Sequence, residues 1–396
     1  MIPWWMALAL AGESLTLDAA WEQATLAPEA ALAEVERQLG HAERQEAGAW
    51  TNPTLDYQGY GRLQGTADAI NAQQHQVDLG IALPVTGELA ARLRRGRLAE
   101  LLGDARADRR STLLAEAVGA AWVDLLAAQD RARVLDDALA RLDGLVALTT
   151  HRAEEGAARP WDVDRMRLAR LAMARERAHA GQARHAAAAD LAALLGRDDP
   201  DVHANGDLEA PLRTHRASAA PAASPFVREA RLALEHREEG VREARRSRIA
   251  EPELRVGGYW TTDGTSASIV AGLGWDLPVF DRGQGRVAQA EAERASAAAE
   301  ARHVEVRVAA ERAALQRALD DLDALASTLP VPEGAVLAAA EVAWTEGEAG
   351  ILELVDAVSA EVAQRLDALA VHAARRHLEL RLAALDGELA APLSPP

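Results

Sequence analysis

The chain has 396 residues, a formal net charge of −18 and a pI near 5.1, which disfavours nucleic-acid partners, because these require a basic footprint, and instead concentrates cations. It contains no cysteine, which excludes disulfides, cysteine-held zinc, thiol nucleophiles and a lipid-modified N-terminal cysteine. Hydrophobic residues supply 49% but aromatics only 4%, and all 43 basic residues are arginine, a composition suited to long, close-packed helices rather than a large aromatic core.

Residues 1–13 open on an apolar run, Met1 to Ala11, too short to cross a bilayer as a helix. It has the character of a secretory signal's apolar region with Ala9-x-Ala11 as a cleavage site, but lacks the positive flank; the other reading is a disordered tail. No later segment carries an uninterrupted apolar run of transmembrane length. A helix is predicted from Leu15 through Trp21, capped by Thr16 or Asp18, and a second over 28–49.

Strands are predicted over about 53–63 and 73–85. Leu55, Tyr57, Gly59, Gly61 and Leu63 alternate with polar residues in the first, and Val77, Leu79, Ile81, Leu83 and Val85 alternate with Gln74, Gln76, Asp78, Gly80 and Ala82 in the second. Helices follow over about 87–154, of order ~100 Å at 1.5 Å per residue, and 160–195, where Pro160 suits a first turn. Glu155-Gly156 separates them. Residues 197–225, rich in Asp, Pro, Gly, Ser and Ala, read as a linker, and 225–249 as a helix.

The pattern then returns. Strands are predicted over about 252–261 and 266–279, joined by the turn Thr262-Asp263-Gly264-Thr265. Ala267, Ile269, Ala271, Leu273, Trp275, Leu277 and Val279 make one face of the later strand. Helices cover about 285–345, broken or kinked at Pro330 and Pro332, and 351–387, with Glu346-Gly347 between them. Residues 390–396 read as a disordered tail. Matching landmarks recur about 190 residues apart, so the chain is two copies of one unit, 14–196 and 226–389, each a strand pair followed by a long helical hairpin. A greasy face on a strand of more than ten residues, with no second sheet to cover it, fits lipid, with Ile269, Leu273, Trp275, Leu79 and Ile81 facing outward and Trp260, Trp275, Tyr57, Tyr60 and Tyr259 as interface anchors. A small soluble β layer is the competing account.

With these segments in place the chain resembles the outer-membrane efflux protein family, the TolC-like outer membrane factors, and within it the heavy-metal efflux branch. The likeness is carried by LTLDAAWEQA at 15–24, NPTLDY at 52–57, GIALPVTGELAAR at 80–92, GLGWDLPVFDRGQGRVAQAEA at 272–292 and AWTEGEAGILELVDAVSAE at 343–361. It implies a mainly α homotrimer: four strands per chain in one shared antiparallel transmembrane β-barrel, above a long α-helical barrel in the periplasm. It implies passive export of solutes, metal cations among them, passed on by an inner-membrane pump and a periplasmic adaptor. It places Gly347 at a helix tip, Glu353 and Asp356 at a periplasmic gate, and Gly156 and Arg159 at the other tip, in contact with the adaptor or a neighbouring chain. Ala349 stands where the family carries a basic or polar residue, which puts the closing bonds made from that position in question. Glu353 and Asp356 as ordinary exposed acids, and Arg159 as a solvated arginine, are the plainer readings.

No HExxH, G-x-S-x-G or P-loop occurs, the eleven histidines are scattered, and Asp281 to Arg286 reads as a strand-to-helix transition rather than a phosphate cradle. The expectation is therefore no enzyme, cofactor or bound metal. A periplasmic helical adaptor or scaffold that never enters the membrane is the alternative, and it would tolerate charge at Ile269, Ala271 and Leu273.

Overall fold

The computed structural model describes residues 13–60, 73–210, 224–262, 266–327 and 334–389. Its elements in chain order are β1 (Glu13–Leu15), α1 (Leu17–Ala24), α2 (Pro28–Gly48), β2 (Thr54–Tyr60), β3 (Gln74–Ala82), α3 (Glu88–Glu154), α4 (Pro160–Leu194), β4 (Val202–Ala204), α5 (Pro225–Arg246), β5 (Glu253–Thr261), β6 (Ala267–Gly274), α6 (Gln284–Ser327), α7 (Ala335–Glu346) and α8 (Ile351–Asp386). The signal segment before Glu13, the strand end at 61–63, residues 211–223 of the linker, turn residues 263–265, the prolines at 330 and 332 and the tail lie outside the described residues. The chain divides into two compact units, and each unit draws on both sequence copies.

One unit comprises 35–107 and 227–305. Its four strands form a single antiparallel sheet in the order β2-β3-β5-β6. The two hairpins are thus not isolated: β3 pairs with β5 from Gln74↔Thr261 to Ala82↔Glu253, a join between distant segments that local alternation does not encode. The ladder of β6 ends at Gly274 rather than 279, because its partner β5 begins at Glu253 and the next residue in register, Pro252, has no N–H to donate.

The helices of this unit pack through glycine and charge. A methyl on Gly40 of α2 would lie 2.8 Å from the Ala99 carbonyl, and one on Gly103 of α3 2.7 Å from that of Glu36, so only glycine lets these backbones approach. Arginines of α3 reach glutamates of α5 (Arg94–Glu239 3.2 Å, Arg95–Glu243 2.8 Å, Arg106–Glu229 3.9 Å), and arginines of α5 reach glutamates of α6 (Arg231–Glu305 2.7 Å, Arg237–Glu293 2.8 Å, Arg245–Glu291 2.7 Å). Mostly exposed pairs are worth under about 1 kcal/mol each, so their role is register more than stability.

His236 of α5 departs from this pattern. Its side chain is 14% exposed, Nε2 lies 3.8 Å from the Glu43 carboxylate, and that nitrogen makes no hydrogen bond. Burial first, then the guanidinium groups of Arg95, Arg237 and Arg106, push its pKa from 6.5 down to about 4. With a depressed folded pKa, the unfolded chain binds the proton first. The neutral ring's contribution is therefore complete above pH 6.5 and is lost as pH falls toward 4. Between pH 7 and 5 the protein should lose on the order of 1 kcal/mol relative to His236→Phe, after allowance for the ring's solvent-exposed edge. Thermal midpoints of the two proteins measure this, and parallel pH profiles would refute it.

The other unit comprises the described parts of 1–34, 108–226 and 306–396. Its main core gathers Leu15, Trp21, Leu114, Val118, Trp122, Leu126, Leu191, Val202, Leu380 and Leu389. Segment 13–15, expected to lead into a helix, and segment 202–204, expected as linker, form the parallel ladder β1–β4. Trp122 Nε1 donates to the Leu15 carbonyl at 2.8 Å, and Gln129 holds Ala204 through both backbone groups. Ladders this short have no period to detect. α3 carries an 18-residue window apolar enough to cross a membrane by length and composition, though acids such as Glu116 and Asp124 interrupt its apolar run; it is 56% buried, and residues such as Leu114 and Leu126 are spent on this core. The helical stretch predicted over 285–345 is two helices, α6 and α7.

Arg376 of α8 is 2% exposed, donates from Nε to the Leu208 carbonyl at 2.9 Å and from a terminal nitrogen to that of Glu209 at 2.8 Å, and pairs with Glu379. Arg376→Met should cost about 3 kcal/mol, because two carbonyls and a carboxylate lose their donor together. A thermal midpoint within error of wild type would contradict that assignment.

Candidate functional site

Two surfaces carry the chemistry, one in each unit. The first is the sheet. Its register aligns Leu55, Leu79, Val256 and Ala271 in one row, Tyr57, Val77, Gly258 and Ile269 in the next, and Ile81, Leu254 and Leu273 in a third. Side chains alternate across a strand, so these rows share one face. That face is bare: Ile269 is 87% and Leu273 66% exposed, with Leu79, Ile81 and Trp275 also exposed. At its loop end Tyr57, His75 and Trp260 stack at centroid distances of 6.0 and 5.7 Å, and the Tyr57 hydroxyl lies 2.7 Å from His75 Nδ1.

The opposite face is polar: Thr54, Asp56 and Gln58 on β2, Gln76 and Asp78 on β3, Glu253 and Arg255 on β5, and Ser268 on β6. The Glu253 carboxylate accepts from Thr54 at 2.8 Å and from Arg255 at 2.8 and 3.0 Å. Gly80 and Gly257 leave room for Glu253 and Asp78, which any side chain there would strike.

The second surface is the pair of hairpin tips, which are built alike. α3 ends at Gly156 (φ +77), with the Ala157 N–H on the Arg152 carbonyl at 2.8 Å; α7 ends at Gly347 (φ +82), with the Glu348 N–H on the Ala343 carbonyl at 2.8 Å. Both glycines occupy left-handed backbone that L side chains resist. Three residues on, Arg159 and Gly350 cap α4 and α8, and an acid at the third helical position reaches back to each cap: Asp162 to the Arg159 N–H at 2.9 Å, Glu353 to the Gly350 N–H. Gly350 has no side chain, so only the Glu353 half of a capping box exists there.

Glu353 and Asp356 are both exposed, while Ile351, Leu354 and Val358 turn into a tip core with Leu142, Leu145, Met166, Leu337 and Trp344. Glu353 thus has a structural duty, whereas Asp356 has no hydrogen bond or ion pair among the described residues. The offset that superposes the tips sets Arg165 of α4 against Asp356 of α8, and Arg165 is likewise exposed and without an ion pair among the described residues. Arg159 is exposed. Ala349 packs on the tip core, and Arg152 crosses between the hairpins, donating to the Trp344 and Thr345 carbonyls at 3.3 Å and lying 4.6 Å from the Trp344 ring centre. Arg165 was findable from the duplication; Arg152 depends on tertiary packing and had no sequence signal.

No protein-family model and no curated protein sequence matches the chain. Solved structures do. The chain superposes on CusC, described for conformational changes accompanying folding and transmembrane channel formation, with a TM-score of 0.80 at 16% identity over 96% of this chain and 94% of that one. It superposes on the outer membrane protein VceC from Vibrio cholerae with a TM-score of 0.75 at 16% identity over 94% and 96%, and on a membrane protein from Pseudomonas aeruginosa with 0.79 at 20% over 93% and 90%. The likeness is one of fold: mainly helical with a small sheet, the TolC-like channel fold.

Proposed function

We infer that the chain is one subunit of a homotrimeric outer-membrane channel, a passive export conduit and not an enzyme, with its helices in the periplasm. The observation that carries this reading is the sheet: four strands, one face apolar and bare, the other polar, and both edge strands, β2 and β6, without a partner strand among the described residues. An open sheet cannot cross lipid with unpaired edges, and three copies edge to edge would remove them. A water-soluble scaffold would have no use for Ile269 or Leu273 in solvent. The polar face would then line the pore, and the tips would form its entrance.

In that arrangement Glu353 and Asp356 of three copies surround one axis, a cation-favouring constriction consistent with metal cations as cargo in a branch of heavy-metal exporters. Gly156, Arg159 and Gly347 lie where a periplasmic adaptor would dock, beside the exposed apolar Trp161, Leu168 and Leu171 of α4, and an inner-membrane pump would supply the cargo. Reconstitution into planar bilayers tests the reading: cation-selective conductance supports it, and the absence of conductance from correctly inserted protein would overturn it.

A further inference from the structure

Where the chain passes from strand to helix, both copies turn the same corner. Leu83-Pro84-Val85 and Leu277-Pro278-Val279, beyond ladders that end at Ala82 and Gly274, each close a bond from the valine N–H to the leucine carbonyl at 2.8 Å. These corners leave apolar groups in solvent: Val85, Leu277 and Val279 are exposed, and Phe280 is 94% exposed. Trp275, also exposed, is tied by Nε1 to the Ala250 carbonyl at 2.9 Å. The apolar face of the sheet therefore continues past its last hydrogen bond onto irregular backbone. Such backbone is unsuited to the hydrocarbon core but suited to the headgroup zone.

Arginines adjoin this collar. Arg246, Arg248, Arg282 and Arg286 are all exposed, and none makes an ion pair among the described residues. What sets these four apart is their clustering beside exposed apolar groups, in a chain of net charge −18. They are gathered at the two glycines that begin the long helices. Arg246 lies 3.9 Å from where a methyl on Gly87 would sit; Arg248 and Arg286 lie 3.1 and 3.6 Å from one on Gly283. Arg248 also donates to the Arg282 carbonyl at 2.9 Å. Nearby acids have other duties: Asp281 accepts the Gly283 N–H at 2.8 Å, and Glu251 faces the Thr86 hydroxyl at 3.4 Å. Glu88 is held above its usual range by burial and by Glu251 and Glu243, with Arg286 acting on it only from a distance.

We propose that this collar and its arginines form a docking surface for anionic phospholipid in the leaflet next to the helices, with the guanidinium groups taking phosphate oxygens and Trp275, Val279 and Phe280 entering the acyl boundary. The proposal rests on the channel reading and adds a lipid chemistry to it. Apolar and aromatic groups backed by clustered arginine is the pairing that such an interface selects.

The test is native mass spectrometry of the full-length protein in detergent, titrated with phosphatidylglycerol or phosphatidylcholine. Wild type should retain phosphatidylglycerol at least about ten-fold better than phosphatidylcholine, and replacing all four arginines by glutamine should remove that preference while leaving trimer and conductance intact. Val279→Ser with Phe280→Ser should weaken retention of both lipids. Inorganic phosphate at matched ionic strength should leave the bound lipid in place. Equal retention of the two lipids by wild type, an undiminished preference in the glutamine variant, or displacement by phosphate but not by chloride would each overturn the proposal while leaving the channel reading standing. Failure of wild type to form a detergent-stable trimer would instead remove the channel reading and this proposal together.

Discussion

Leu273→Arg should eliminate heat-resistant trimer from outer-membrane fractions. Leu273 is 66% exposed in the chain and faces Leu254 across the β5–β6 ladder, with Ile81 in the same row. For a water-soluble body an arginine there would be harmless, since exposed surface substitutions cost within about 0.5 kcal/mol. On a lipid-facing strand it costs roughly 2–4 kcal/mol near the bilayer midplane, repeated in each copy of the barrel. Gel migration before and after heating reads the result. Ser268→Arg, on the polar face one strand position from Ile269, should assemble normally. A trimer that tolerates both substitutions would mean that the bare face does not meet lipid.

The second large effect belongs to the tips. Asp356 and Arg165 occupy matching positions in the two hairpins with opposite charge, and neither has an ion-pair partner within the chain among the described residues. Around a threefold axis they would alternate. Asp356→Arg replaces that alternation with six like charges, and Asp356→Arg with Arg165→Asp restores it. At about 1 kcal/mol per exposed pair, three pairs amount to roughly 3 kcal/mol, a shift of about a hundredfold in the ratio of closed to open entrance. Single-channel recordings should show raised conductance in the first variant, recovery in the second and weaker block by divalent cations only in the first. Glu353→Ala should behave differently. It removes the bond that caps α8, so its signature is a loss of about 1 kcal/mol in stability with a smaller change in conductance. Unchanged conductance in the Asp356→Arg variant would take that residue out of the gate.

What the sequence could tell followed from the reach of each signal. Strand faces were legible because alternation is local: Leu79, Ile81, Ile269 and Leu273 fall on one side whatever pairs with them. The join of β3 to β5 was not, since it links segments far apart in the chain. Alternation also overran the sheet. Leu277 and Val279 keep the parity of Leu273 beyond the last ladder bond at Gly274, because parity records which side is greasy and not which backbone groups are paired. The tips show the same division. Glycine punctuation marked Gly156 and Gly347, and the duplication would have matched Arg165 with Asp356. That Glu353 bonds the Gly350 N–H is local to the start of α8, whereas the bonds from Arg152 to the Trp344 and Thr345 carbonyls depend on how α7 meets α3 and become visible only once those helices are packed.

Sedimentation of the purified full-length protein, with and without detergent, measures the claim on which the rest stands. Three copies per particle in detergent, with precipitation once detergent is withdrawn, is the predicted outcome. A monodisperse single copy in detergent-free buffer would contradict it.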